Sequence, residues 1–199
     1  MCMACGKERA AARRGPELKA YCKACFCESL EEDVHRTIVR EKLVVPGDKI
    51  ALAVSGGKDS TALAHVMQNL DKKYHYGAEF VLLSIDEGIV GYRDESLETV
   101  KRNKIQYGIP LLIISFKDLY GYTLDEIAVK TAEKNTCTFC GVFRRHAFDK
   151  GAIELGCNKV ATGHNADDAA ETILMNCKRG NNNIFFFSFY SYAFYSAQR

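Results

Sequence analysis

The sequence contains no run of 18 apolar residues and no apolar stretch of signal-peptide type behind its Met-Cys-Met-Ala-Cys opening. A membrane-spanning segment and a secretory route are therefore not expected. An excess of either charge is missing too: 27 basic and 25 acidic residues leave a formal +2, so the chain as a whole is no polycation. Nor is there an internal repeat, which removes solenoid architectures. What remains is ordinary globular material, 47% hydrophobic and 26% charged, enough for a core and incompatible with global disorder. At roughly 150 residues per domain, 199 residues make one domain with room for a small appendage.

The charge is unevenly spread. Residues 1–25 hold six basic side chains (Lys7, Arg9, Arg13, Arg14, Lys19, Lys23) against Glu8 and Glu17, so an anionic partner would meet the amino-terminal segment first. Nine cysteines in a chain without a secretory signal are expected to be reduced and cytoplasmic. Their paired spacings then read as metal or redox sites rather than disulfides.

Three zones follow. Residues 1–28 are Cys-rich, basic and poor in periodic hydrophobics. Residues 29–180 alternate helix and strand signals. A capping box at Ser29–Glu32 opens a helix through Leu30, Val34 and Ile38, which Pro46-Gly47-Asp48 stops. Strands are expected at 49–54, 79–85, 111–115 and 159–162, with helices between them: one through Met67, one over 94–106, one from a second capping box at Thr123 to Lys134, and one after Cys140. That order predicts an open, doubly wound parallel α/β sheet. Residues 181–199 break the pattern, with eight aromatics in 19 residues and no acidic side chain, and read as an altered chain end.

Between the first strand and its helix lies Ser55-Gly56-Gly57-Lys58-Asp59-Ser60. The two glycines let successive backbone N–H groups converge on a phosphate, the helix adds its positive end, and Lys58 adds a formal charge. Ser55 and Ser60 supply hydroxyls. Neither a Walker A loop nor a G-x-G-x-x-G fingerprint is present. Beyond the last strand, Thr162-Gly163-His164-Asn165-Ala166-Asp167-Asp168 occupies the other place where open α/β sheets bind ligands, outside the carboxyl ends of strands. The two aspartates are open between a ligand role and helix capping, and His164 between catalysis and a hydrogen-bonded structural role.

The cysteines form three C-x-x-C pairs. Cys2-x2-Cys5-x16-Cys22-x2-Cys25 has the spacing of two knuckles holding one tetrahedral Zn²⁺, which would supply most of the folding free energy of a segment without a core, leaving Cys27 spare. Cys137-x2-Cys140 precedes a helix carrying Arg144 and Arg145. That environment is expected to lower the thiol pKa and suits metal ligation or sulfur chemistry, with a redox dithiol or a structural pair as the other readings.

SGGKDS followed by GHNADDAAET resembles the PP-loop ATP pyrophosphatases. With the four-cysteine module and TCTFCG, residues 1–180 resemble that family's tRNA 2-thiolation branch, most closely its eukaryotic cytoplasmic members. The resemblance implies ATP cleavage between the α and β phosphates, with Mg²⁺ bridging phosphates and Asp59 a candidate participant. Adenylation of O2 of U34 in certain tRNAs and replacement by sulfur would follow. It assigns the nucleotide to Ser55–Ser60, with Ala53 and Ile85 flanking the base, Arg144 at phosphate, and Gly163 and Asp168 completing the site. It makes Cys137 and Cys140 two of three ligands of a [4Fe–4S] cluster, the third lying farther along the chain than this sequence reaches. Implied partners are tRNA, a second thiolation subunit and a ubiquitin-like sulfur carrier. A related reading, 2-thiocytidine synthesis, shares the loop and the central pair but lacks the amino-terminal zinc module. From a different class comes a shortened, non-catalytic form that binds tRNA or the partner subunit. A pure nucleotide-binding module would leave three C-x-x-C pairs unexplained.

Overall fold

The computed structural model describes residues 1–131, 136–168, 170, 171 and 174, and the backbone of 194–196. They fall into two compact units, Met1–Val45 and Pro46 onward.

In the first unit, β1 (Ala12–Arg14) and β2 (Lys19–Tyr21) form an antiparallel hairpin in the register Ala12↔Tyr21, and α1 follows over Lys23–Glu41. Cys22 is the extended residue that starts α1, so the helix begins upstream of the Ser29 capping box and position 28/29 falls inside it. Ser29 does not cap. Its hydroxyl and carbonyl instead accept from Arg14 Nη1 at 2.9 and 3.2 Å, and Arg14 also pairs with Asp33. That guanidinium holds the Asp33 carboxyl below the usual carboxylate range. The helix ends at Glu41 with Lys42 left-handed at φ 51°, and the amides of Lys42 and Leu43 close back on the carbonyls of Val39 and Ile38. Termination is therefore complete before Pro46 is reached.

The second unit runs β3 (Lys49–Ala53), α2 (Lys58–Tyr74), β4 (Glu79–Asp86), α3 (Arg93–Tyr107), β5 (Leu111–Ser115), α4 (Phe116–Tyr120), α5 (Leu124–Lys130), α6 (Thr136–Glu154), β6 (Lys159–Ala161) and β7 (Phe194–Ser196). The sheet order is β5-β4-β3-β6-β7, with the first four strands parallel. Side chains alternate across it. Ala51, Ala53, Leu83 and Ile85 pack with Ala147 and Ala152 of α6, while α2 and α3 bury Met67, Leu70 and Val100 against the sheet from their own side. Contact with α6 is close: a Cβ on Gly151 would stand 2.6 Å from a methyl of Leu83. The expected doubly wound parallel sheet is what forms.

Some boundaries differ from expectation. The helix assigned after Cys140 begins at Thr136, which puts Cys137 and Cys140 inside its first turns. The Thr123 capping box forms as expected, but α5 stops at Lys130, and residues 132–135 lie outside the described ones. Phe194–Ser196 pairs antiparallel with β6, although 181–199 was expected to stand outside the pattern; 181–193 and 197–199 lie outside the described residues. No helix among the described residues is long and apolar enough to cross a membrane.

Candidate nucleotide and thiol sites

From β3 the chain builds outward through β4 to β5, then returns to place β6 on the other side of β3. The carboxyl ends of β3 and β6 therefore flank the point where strand order reverses, the place such sheets offer a ligand. SGGKDS leaves β3 there, and Thr162–Asp168 leaves β6 there.

Side chains of the first loop lock its path. The Ser55 amide donates to Ser60 Oγ (3.1 Å), Ser60 Oγ donates to the Gly57 carbonyl (3.0 Å), and the two hydroxyl oxygens lie 3.3 Å apart. Gly56 sits at φ +77°, and a Cβ there would fall 2.7 Å from the Ser96 carbonyl oxygen, so both conformation and space demand glycine. From α3, Ser96 Oγ donates to the Ser55 carbonyl at 2.5 Å, and Tyr92 reaches the same oxygen at 3.4 Å. Gly57 starts α2 without any side-chain cap. By contrast, Ser115 and Thr123 cap α4 and α5 with their hydroxyls. The first-turn amides of α2 thus have no side-chain acceptor and, with the positive helix end, are placed to take an anion.

A cleft of about 210 Å³ opens beside this loop. Ala53, Ser55, Asp59, Ser60 and Ile85 line it together with Arg144, Gly163, His164 and Asp168. Gly56, Gly57 and Lys58 stand in the loop and first turn without lining it. Gly163 makes the approach of the two segments possible, since a Cβ there would be 3.0 Å from the Asp59 carbonyl and from Ser60 Cα. Asn165 and Asp168 form a reciprocal cap: Asn165 Oδ1 accepts from the Asp167 and Asp168 amides (2.8 and 3.2 Å), and Asp168 Oδ2 accepts from the Asn165 amide (2.7 Å). Asp168 thus caps a helix and faces the cleft at once. His164 Nδ1 lies 2.9 Å from Thr162 Oγ1.

Cys137 is exposed on α6 and Cys140 half-buried one turn on; neither lines the cleft. Burial pushes the Cys140 thiol up, outweighing the nearby Arg144, which overturns the expected lowering. Cys157 is buried at the far end of α6, before β6, and Cys177 lies outside the described residues. The described residues thus offer an iron–sulfur cluster two thiols and no third.

In the first unit, Cys2, Cys5, Cys22 and Cys25 converge, their sulfurs all within 4.8 Å of one another. Four thiolates on one tetrahedral ion at about 2.3 Å would be about 3.8 Å apart, so the set fits a structural metal. The hairpin and the start of α1 create this convergence, with the amides of Cys2 and Met3 donating to the carbonyls of Glu8 and Ala20 (2.7 and 2.8 Å). Backbone amides of Cys5 and Cys22 draw the Cys2 thiol down to about 6. A shared hydrogen bond with Cys22, then burial, pushes Cys25 up to about 12. Among the described residues this is the one group of three or more His, Cys, Asp or Glu side chains close enough to hold a metal; no such carboxylate group appears.

Two participants escaped the sequence reading. Glu87 lines the cleft and pairs with Arg144 at 2.8 Å, and Ser96 holds the Ser55 carbonyl. Glu87 had a legible signal, a carboxylate at the carboxyl end of a central strand; Ser96 had none, because its contact is made only in three dimensions.

Cytoplasmic tRNA 2-thiolation protein 1 of Chlamydomonas reinhardtii is 57% identical over 181 residues, 91% of this chain and 51% of that protein. The proteins of the same name from Xenopus laevis and Saccharomyces cerevisiae are each 56% identical, over 90% and 91% of this chain and 53% and 50% of their own length. The chain thus spans about half the length of these curated relatives. Among solved structures, the U34-tRNA thiolase of Methanococcus maripaludis with its [4Fe–4S] cluster matches at a TM-score of 0.80 and 33% identity, over 94% of this chain and 60% of that one. The PP-loop domain family model matches residues 28–189, and the chain belongs to that family.

Proposed function

We propose that this chain is the ATP-binding part of an adenylating sulfurtransferase that 2-thiolates U34 of tRNA. The observation that carries the reading is the glycine loop running into an α2 without a side-chain cap, on a cleft shared with Gly163 and Asp168 at the strand-order switch. Amides of Gly57 to Asp59 and the Lys58 charge would hold the pyrophosphate portion of ATP, and Asp59 would be the candidate ligand for Mg²⁺, which would neutralise phosphate charge. Ala53 and Ile85 would flank the base by backbone contact, and Arg144 would meet phosphate. Uridine O2 attacks the α phosphorus, the α–β bond breaks, and pyrophosphate leaves. A sulfur nucleophile then adds at C2 and AMP departs with the oxygen.

Cys137 and Cys140 would provide two ligands of a [4Fe–4S] cluster, a group that supplies an iron site for sulfur when bound. In the first unit the four cysteines would hold zinc, with residues 1–28 as the metal module and 29–180 as the PP-loop domain. Lys7, Arg9 and Arg13 are exposed and, among the described residues, without an ion-pair partner, which suits them to the tRNA backbone. A second thiolation subunit and a ubiquitin-like sulfur carrier complete the reading, in the cytoplasmic setting that the relatives' names carry.

Product analysis with Mg²⁺ and unmodified tRNA under argon tests it. The expected result is tRNA-dependent AMP that disappears in Lys58→Ala. No AMP from a chain that still binds tRNA and zinc would identify a non-catalytic binding form, and ADP would overturn the PP-loop chemistry.

A further inference from the structure

Arg144 uses one nitrogen twice. Its Nη2 lies 2.8 Å from Glu87 Oε1 and donates to Cys140 Sγ at 3.4 Å. The same nitrogen thus pairs with a carboxylate and donates to a sulfur, from a guanidinium that also lines the cleft. Cys140 and Arg144 are neighbours by helical spacing on α6. Glu87 arrives from the end of β4 and has no such local reason to be there.

Its position is nevertheless heavily built. The Glu87 carbonyl accepts the Leu124 amide at 2.8 Å, which ties the segment to the start of α5. On one side, Gly88 sits at φ +73°, packed so closely on Thr123 that a Cβ would be 2.6 Å from its methyl. On the other, buried Asp86 accepts the Gly88 amide (3.0 Å) and is gripped by Arg93 Nε at 2.9 and 2.8 Å. The Glu87 side chain itself is only 14% exposed, against 45% for Arg144. The carboxylate is the fixed partner and the guanidinium the movable one.

We propose that Glu87 is a positioning residue that parks Arg144 on Cys140 while the cleft is empty, and that nucleotide phosphate displaces it, so that occupancy of the cleft is transmitted to the Cys140 sulfur. The inference rests on the ATP reading of the cleft. A phosphate is a better partner for the fork than one carboxylate, because it offers more acceptor oxygens and a larger charge. As the guanidinium turns to it, the contact with Cys140 Sγ is given up.

The test uses the 199-residue, zinc-loaded, iron-free chain. Maleimide labelling of Cys140 is followed by peptide mass spectrometry with and without Mg·ATP, normalised to exposed Cys27. ATP is expected to change the wild-type Cys140 rate at least about threefold, a change of about 0.65 kcal/mol by RT ln 3. In isosteric Glu87→Gln the rate without ATP should already equal that of ATP-bound wild type, and ATP should change it no further. Arg144→Ala removes the same contact on Cys140 from its half-exposed end, and without ATP its Cys140 should already label at the ATP-bound wild-type rate, a readout independent of ATP binding that keeps the idea testable if Glu87→Gln folds poorly; an Arg144→Ala that labels at the ATP-free wild-type rate overturns it. A wild type that binds ATP in equilibrium dialysis but labels equally with and without it overturns the coupling and leaves the PP-loop reading standing. So does a Glu87→Gln that keeps the wild-type ratio. Absence of ATP binding in the wild type, no better than Lys58→Ala, overturns both.

Discussion

Between Met1 and Val45 the buried hydrophobic side chains are Cys2, Cys22, Ile38 and Val44, two of them members of the four-thiol group. From Pro46 on, β3 and β4 alone bury Ile50, Leu52, Leu82 and Leu83 completely, with α2, α3 and α6 closing over them. The second unit therefore carries its stability in apolar area, which needs nothing added. In the first, the interior is largely a group of four thiols placed to hold a metal, and on the zinc reading proposed above folding is conditional on it. Each unit's chemistry follows from that difference: one can present charges on a small surface built around four thiols, the other can hold a cleft open at the end of a rigid sheet.

The largest effect expected is on the first unit. Removing the metal with a chelator, or Cys22→Ser, should unfold Met1–Val45, since structural zinc is worth on the order of 10 kcal/mol to such modules. Hydrogen exchange should show protection lost over those residues and kept in β3 and β4; equal loss in both units would erase the contrast. In the opposite direction, Leu82→Ala should cost about 3 kcal/mol in the sheet. Denaturant melts would report that loss while zinc stoichiometry stays at one.

A smaller, local effect is expected at the loop. Gly56→Ala places a Cβ 2.7 Å from the Ser96 carbonyl at φ +77°, and should weaken ATP binding at least about tenfold, roughly 1.4 kcal/mol. Equilibrium dialysis on the folded protein reads it, with a lower thermal transition from the strain at that residue. The mildest effects depend on pH in the first unit. Asp33 is held low by Arg14, so its contribution is complete above the ordinary carboxylate pKa and is lost as pH falls through the depressed folded value. Asp33→Asn should therefore separate from wild type at pH 7 and converge with it in acid. Zinc binding must displace thiol protons from the unfolded metal-free segment, so affinity should fall as pH drops, more steeply in acid. Calorimetry in buffers of different ionisation enthalpy would register the steeper fall in affinity there.

Much of the second unit was legible because its signals are local. Leu111–Ser115 forms a strand with the expected ends, and Thr123 with Glu126 makes the box its spacing announces. Ser29–Glu32 carries the same signature and fails, because Cys22 starts the helix earlier and Arg14 takes the Ser29 hydroxyl. A tertiary partner outcompeted a local one. The environment of Cys140 was misjudged for a related reason: its cation could be read from helical spacing, but its burial and the Glu87 carboxylate come from other strands and helices. Gly163 was legible as a site residue, though its reason was not. Only packing reveals that its missing side chain lets one loop rest on the other.

That last contact bears on speed. With Gly163 packed on the backbone of Asp59 and Ser60, the two loops that line the cleft already lie against each other. No inward travel is left between them, so the turn of Arg144 is the step that follows encounter, and the observed rate should level off at high ATP concentration rather than rise linearly.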